Sequence, residues 1–255
     1  MEEQNYLSNL SLLTHNMLIF LLILLLVTIL RLQALCNAVQ TAEADSKTQA
    51  LILQSARPKI FSAGLDLREL HNPTESRLRE FWQSFQQLYL DLYGSRLACI
   101  AAMEGHAPAA GCMLALSCDY RIMENSPKLT IGLNESKFGI AAPSWLAQQM
   151  IDTVGQRTAE MALQLGTLYS PQDALQIKLI DEVADDVLER AVEQAKIWAQ
   201  PPARFESKLL VRQNRLDHLR ATRQADEDHF VKFVLQDQVQ KSLSAYLASL
   251  TSKKK

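Results

Sequence analysis

The sequence predicts an α/β fold finished by a helical C-terminal region. Three observations carry this. Short apolar runs alternate with amphipathic helical patterns between residues 32 and 141. Beyond Ala141 the pattern is almost wholly helical. Glycine is scarce, eight in 255 residues, and six of the eight fall between Gly94 and Gly155. Glycine serves where backbone must turn tightly or meet another segment closely, so a site is expected in the middle of the chain.

The elements follow in order. Leu32, Leu35, Val39 and Ala42 share one helical face. "QALILQS" then reads as a buried strand, followed by a turn over "ARPKIFSAG". Leu78, Phe81, Phe85, Leu88 and Leu92 mark an amphipathic helix over 78–93. "RLACIAAM" is a second buried strand, "CMLALSC" a buried helix, "DYRIM" a third strand and "KLTIGLNE" a fourth. Strands alternating with helices point to βα-type packing. "PSWLAQQMI", "RTAEMALQLG" and "SPQDALQIKL" are short helices, the last with Ser170 as cap and Pro171 at the first helical position. "IDEV" is a brief strand. Leu188, Ala191, Val192, Ala195 and Trp198 mark another helix, and Val239, Leu243, Tyr246, Leu247 and Leu250 the last.

Net charge is −2, with 48% apolar and 21% charged residues. That balance gives no broad electrostatic claim on nucleic acid. The four cysteines form no Cys-x-x-Cys pair, and the five histidines show no ligand spacing, so no metal is expected. Residues 4–30 carry no Asp, Glu, Lys or Arg, and Met17–Leu30 is almost unbroken hydrocarbon over 14 residues. With its flank from Leu7 this stretch reaches a length that could span a bilayer. It lacks the positive start and small-residue cleavage site of a secretory signal, and the Arg-rich pattern of a mitochondrial presequence. The expected divisions are 1–31, a hydrophobic segment and candidate membrane helix; 32–200, the core; and 201–255, a C-terminal helical region.

Chemistry is expected at two turns. "SAGLD" ends one strand and "PAAG" begins one helix. A turn after a strand exposes N–H groups, and so does a helix start, which also carries the positive end of the dipole. If these N–H groups converge they form a two-donor oxyanion hole, a large catalytic contribution where charge develops on a carbonyl oxygen. Small side chains leave room for a substrate to reach the backbone.

Together the blocks "FSAGLDL", "EGHAPAAGCMLALSCDYRI" and "GLNESKFGIAAP" resemble the crotonase (enoyl-CoA hydratase/isomerase) superfamily, over about Leu32 to Val183 and more loosely to Leu250. "SCDYRI", "IGLNE" and "ALQLGTLYSPQDALQIKLIDEV" look most like its mitochondrial 3,2-trans-enoyl-CoA isomerases. The resemblance implies a ββα spiral with C-terminal helices, an acyl-CoA thioester substrate, no cofactor beyond the CoA carried by that substrate, a mitochondrial address and a homotrimer. Carried over by motif position, it puts the oxyanion N–H groups on Leu65 and Ala110, the latter where relatives usually have Gly. It puts the acid–base carboxylate on Glu135, and substrate contacts on Ala63, Gly64, Leu65, Asp66, Leu67, Ala110 and Asn134. Superfamily hydratases hold a water between two glutamates, and the first of these positions is Met113 here. One carboxylate suffices to move a proton from C2 to C4, so the resemblance implies conversion of 3-enoyl-CoA to 2-trans-enoyl-CoA.

The superfamily begins with a β-hairpin and a strand that this sequence does not display. The hydrophobic stretch is therefore expected to replace the first strands with a helix, either as a membrane anchor through residues 7–30 or as a buried segment or alternative start. The alternative function is then a membrane-tethered, non-catalytic acyl-CoA-binding or scaffolding protein.

Overall fold

Strands that are buried on both faces read as continuous apolar runs, because no face is left for polar residues. This rule accounts for the centre of the main sheet, the runs Ala50–Ser55 and Ala98–Met103. The structure is a computed structural model that describes residues 10–13, 17–22 and 27–252. The main sheet has the order β1-β2-β3-β5-β7-β9. Its strands are β1 (Leu10–Leu13), β2 (Met17–Leu22), β3 (Ala50–Ser55), β5 (Ala98–Met103), β7 (Tyr120–Glu124) and β9 (Glu182–Ala184). Only the β1–β2 pair is antiparallel. Ile52, Ile100, Ala102 and Ile122 face α7 (Val187–Ala199) through Val187, Ala191 and Ala195. Leu51, Leu53, Cys99, Ala101 and Met103 face the opposite way, into the larger core.

That core is closed by α1 (Ile29–Ala44), α2 (Glu75–Tyr93) and α3 (Ala110–Ser117). Thr74 caps α2, its hydroxyl accepting from the Arg77 N–H at 3.3 Å. A second sheet, β4-β6-β8, is made of very short strands: Lys59–Ile60, Gly105–Pro108 and Ile131–Gly132. Each repeat thus gives one strand to each sheet and then a helix: β3-β4-α2, β5-β6-α3, β7-β8-α4 (Ser144–Val154). This is the ββα spiral expected from the resemblance.

Helices α5 (Gln156–Leu165) and α6 (Pro171–Gln176) follow, the latter capped by Ser170, which accepts from the Asp173 N–H at 3.2 Å. The long α8 (Arg204–Val234) and α9 (Asp237–Ser252) complete the chain, and Leu216, Leu219, Phe230, Val234, Val239 and Leu243 join the larger core.

The N-terminal expectation is corrected. In place of a helix standing in for the first strands, Leu10–Leu13 and Met17–Leu22 form a hairpin, and β2 pairs along its whole length with β3, from Met17↔Ala50 to Leu22↔Ser55. Ile29 and Leu30 already belong to α1. Residues 7–9, 14–16 and 23–26 of the expected span lie outside the described residues. Among the described residues, no helix is long and apolar enough to cross a membrane. The physical reason is that a run of 14 apolar residues is short for a bilayer and, lacking periodicity, fits a doubly buried strand as well as a helix. The expected fourth strand is also shorter than its pattern: it ends at Gly132, and Glu135–Phe138 is a 3-10 turn.

Candidate active site

The first turn leaves β4 and runs from Phe61 to Leu67. Ser62 Oγ accepts the Gly64 N–H at 3.2 Å. Gly64 sits at φ +86°, a region that favours glycine. Val27 forms a parallel bridge here: its N–H donates to Gly64 O at 2.9 Å and its O accepts from the Asp66 N–H at 3.1 Å. In that geometry the Leu65 N–H points to the opposite side, where it meets no acceptor among the described residues. The Asp66 carboxylate is buried and takes both Arg68 Nε, at 2.9 Å, and Arg68 Nη2, at 2.6 Å. It therefore fixes the turn and leaves only its backbone beside Leu65. Ala63 is exposed, and Leu67 is half-buried against the core.

The second turn joins β6 to α3. The Ala109 N–H donates to Gly132 O at 2.8 Å, and Ala109 O accepts from the Met113 N–H at 3.1 Å as the first bond of the helix. The N–H groups of Ala110, Gly111 and Cys112 are thus first-turn donors with no partner inside the helix. The two turns interlock at their glycines. A Cβ placed on Gly64 would lie 3.1 Å from Ala109 Cβ and 3.8 Å from Ala110 N. One placed on Gly111 would lie 3.1 Å from Ser62 Cβ. Leu65 and Ala110 therefore present N–H groups without an acceptor among the described residues, from adjoining segments.

Glu135 arrives on the third segment. β8 pairs with β6 at Ala107↔Ile131 and Pro108↔Gly132, which brings the following turn beside α3. Gly132, at φ +155°, admits Thr167 O so closely that a Cβ there would lie 2.3 Å from it. Glu135 is half-buried, and loss of water around its carboxyl raises its pKa from 4.5 to about 7. No charged neighbour contributes to that shift. Its charge reaches the buried Cys112 thiol, whose own pKa is pushed up by burial first and by Glu135 second. Glu135 is thus electrostatic neighbour to the first turn of α3. The buried Asn134 precedes it, with Oδ1 unpaired among the described residues. Met113, at the first hydratase carboxylate position, is fully buried with Sδ 3.4 Å from Ser117 Oγ.

Two contributors escaped the sequence reading: Val27 and Gly132. Gly132 had a readable signal, being a glycine two residues ahead of Asn134. Trp145 packs with Trp82, Phe85 and Tyr89 in the core. A cavity of about 730 Å³ lined by Asp119, Trp198, Arg204 and Lys208 shares no residue with the three turns.

Comparison with known proteins agrees with this fold. The family model described as enoyl-CoA hydratase/isomerase matches residues 30–253. A rat protein, enoyl-CoA delta isomerase 1, mitochondrial, is 44% identical over 221 residues, covering 85% of this chain and 76% of its own. The human protein of the same name is 40% identical over 227 residues, covering 88% and 75%. The crystal structure of human mitochondrial delta3-delta2-enoyl-CoA isomerase superposes with a TM-score of 0.92 at 37% identity, covering 94% of this chain and 96% of its own. An enoyl-CoA hydratase from Bacillus halodurans, at 22% identity and TM-score 0.82 over 92% of this chain and 98% of its own, shares the fold.

Proposed function

The chain belongs to the enoyl-CoA hydratase/isomerase family, and from that premise we propose that it converts 3-enoyl-CoA to 2-trans-enoyl-CoA. The observation that carries this reading is a single carboxylate of raised pKa, Glu135, set beside two turns with free N–H groups, while buried Met113 fills the first hydratase position. Hydration needs a water held between two carboxylates. A double-bond shift needs one group that takes a proton and returns it.

The thioester carbonyl binds between the Leu65 and Ala110 N–H groups, with Ala63, Gly64 and Leu67 along the thioester and the Asp66 side chain committed to Arg68. Glu135 removes a proton from C2. The C2–H pair moves into a C1–C2 enolate conjugated with the C3–C4 bond, and the negative charge on the thioester oxygen is held by the two N–H groups and the start of α3. Glu135 then delivers the same proton to C4, which leaves the double bond between C2 and C3. Atoms and charge balance without a cofactor, CoA being part of the substrate. A pKa of about 7 suits the task, since a group that must both accept and release a proton works best near the ambient pH. Asn134 orients the acyl chain or the carboxylate. The mitochondrial address is supported by the names of the rat and human relatives, and a homotrimer is the assembly the resemblance implies.

The test is isomerisation of a 3-enoyl-CoA by the full chain, followed by absorbance of the conjugated thioester. Glu135→Gln keeps shape but not basicity, and kcat is expected to fall by about 10³-fold with folding retained. A folded wild-type chain without turnover, or a Glu135→Gln variant as fast as wild type, overturns the reading.

A further inference from the structure

Helix α9 touches both halves of the site from the far end of the chain. On one side, Gln240 clasps the segment that follows the oxyanion turn. Its Oε1 accepts the Asn72 N–H at 2.8 Å, and its Nε2 donates to Leu70 O at 2.9 Å and to Val234 O at 2.8 Å. All the hydrogen-bonding capacity of the amide nitrogen is used, and Asn72 is held at φ +50°. Between Leu65 and this clasp the chain is a run of bonded turns: Glu69 N–H to Asp66 O at 2.9 Å, and Leu70 N–H to Leu67 O at 3.2 Å.

On the other side, α9 meets the Glu135 turn. The Tyr246 ring lies 4.4 Å from the Phe138 ring, centroid to centroid. A Cβ on Gly139 would lie 3.1 Å from Ser242 Cβ and Oγ. The Glu135 carbonyl itself accepts the Ile140 N–H at 3.2 Å, which ties these residues to the catalytic turn. Val239 and Leu243 are buried in the core and fix the height of the helix between its two contacts.

We infer that α9 is a strap that sets the distance between the oxyanion turn and the Glu135 turn, and that Gln240 is its positioning residue. The inference rests on the isomerase reading above. Gln240 touches neither donor nor base. It acts through Leu70 and Asn72, five and seven residues beyond Leu65. A rigid helix bonded to one turn and packed on the other carries that spacing, and small errors in such spacing cost rate more than binding.

The experiment uses the full chain with Gln240→Met, which keeps length and removes the hydrogen bonds, and Tyr246→Leu, which loosens the other contact. Steady-state isomerisation of a 3-enoyl-CoA and thermal melting are measured for each and for the double variant, with Glu135→Gln as control. The expected result is a fall in kcat of about tenfold for Gln240→Met, with KM within about twofold, and a smaller fall for Tyr246→Leu. The double variant is expected to be less impaired than the product of the two, since both loosen one spacing. If Gln240→Met does not fold, Tyr246→Leu carries the same test through the opposite contact. Unchanged kcat in the folded variants, or losses that multiply as independent defects, overturns the strap while leaving the isomerase reading in place. No wild-type turnover, or turnover that survives Glu135→Gln, overturns both.

Discussion

Burial at Glu135 does two things at once. It makes the carboxylate basic enough to take a proton from carbon, and it makes the folded state dependent on whether that proton is present. The activity consequence is direct: kcat/KM is expected to rise with pH and level off above about 7, following the charged form of Glu135. A rate profile that is flat between pH 5.5 and 8.5 would remove Glu135 from the role of base. The stability consequence has the opposite sign. The folded pKa of about 7 lies above the ordinary 4.5, so between these values the folded state holds a proton that the unfolded chain has released. Stability from this group is present below pH 4.5 and is lost as pH rises to 7. Glu135→Gln cannot charge, so its stability relative to wild type is expected to grow between pH 4.5 and 7 and stay constant above. Urea unfolding of the two proteins at pH 5 and pH 8 measures this, and an equal difference at both pH values would count against the buried carboxyl. The two turns stood out in the sequence by their small residues, whereas Leu65, Ala110 and Glu135 were named from the positions they hold in motifs that resemble the crotonase superfamily. Gln240 was not, because 168 residues separate it from Asn72 and nothing local marks its partner.

At the scale of elements, the pattern of misreading follows from the pattern of burial. The helices α1, α2, α6, α7 and α9 were readable because one face is buried and the other is wet. β4 and β6 passed for turns because strands of two and four residues show no period. α8 had no clean stripe, since its buried face begins with Lys208, bonded to Asp119 Oδ2 at 2.8 Å, and ends with Phe230 and Val234. β2 was taken for part of a helix because a strand joined to β3 in the interior of a sheet is apolar throughout. Its importance can be tested by deletion. Removing residues 1–26 strips β2 from the whole length of β3, leaving Ala50 to Leu53 with an unpaired edge in their most apolar stretch. Unpaired apolar edges template association. The truncated chain is expected to aggregate, as read by light scattering on expression at matched concentration. A soluble, monodisperse product with an unchanged melting temperature would show that the β2–β3 pairing is dispensable.

Across the whole molecule, the catalytic parts and the helix that braces them come from one chain, while an apolar area elsewhere is left open. Ile197 is 55% exposed, Val211 82% and Leu210 86%. Ile197 and Val211 line the 730 Å³ cavity together with Trp198, Pro201 and Pro202, at the corner between α7 and α8. Beneath them, buried Asp119 holds Lys208 and Arg212 at 2.8 and 3.0 Å, so the corner is rigid rather than loosely packed. A fixed, solvent-facing apolar area is what a subunit contact needs, and a closed ring of three copies covers such an area on every copy. With the homotrimer that the resemblance implies, the chain is expected to run in light-scattering chromatography at three chain masses. The pair Leu210→Glu and Val211→Glu would place two desolvated charges in the contact and is expected to shift the peak to the single-chain mass. Because Leu65, Ala110, Glu135 and Gln240 all belong to the same chain, the dissociated variant is expected to retain isomerase turnover at low temperature while melting earlier. A variant that remains trimeric would move the contact away from this corner. A dissociated variant that is folded but inactive would show that a neighbouring copy completes the site.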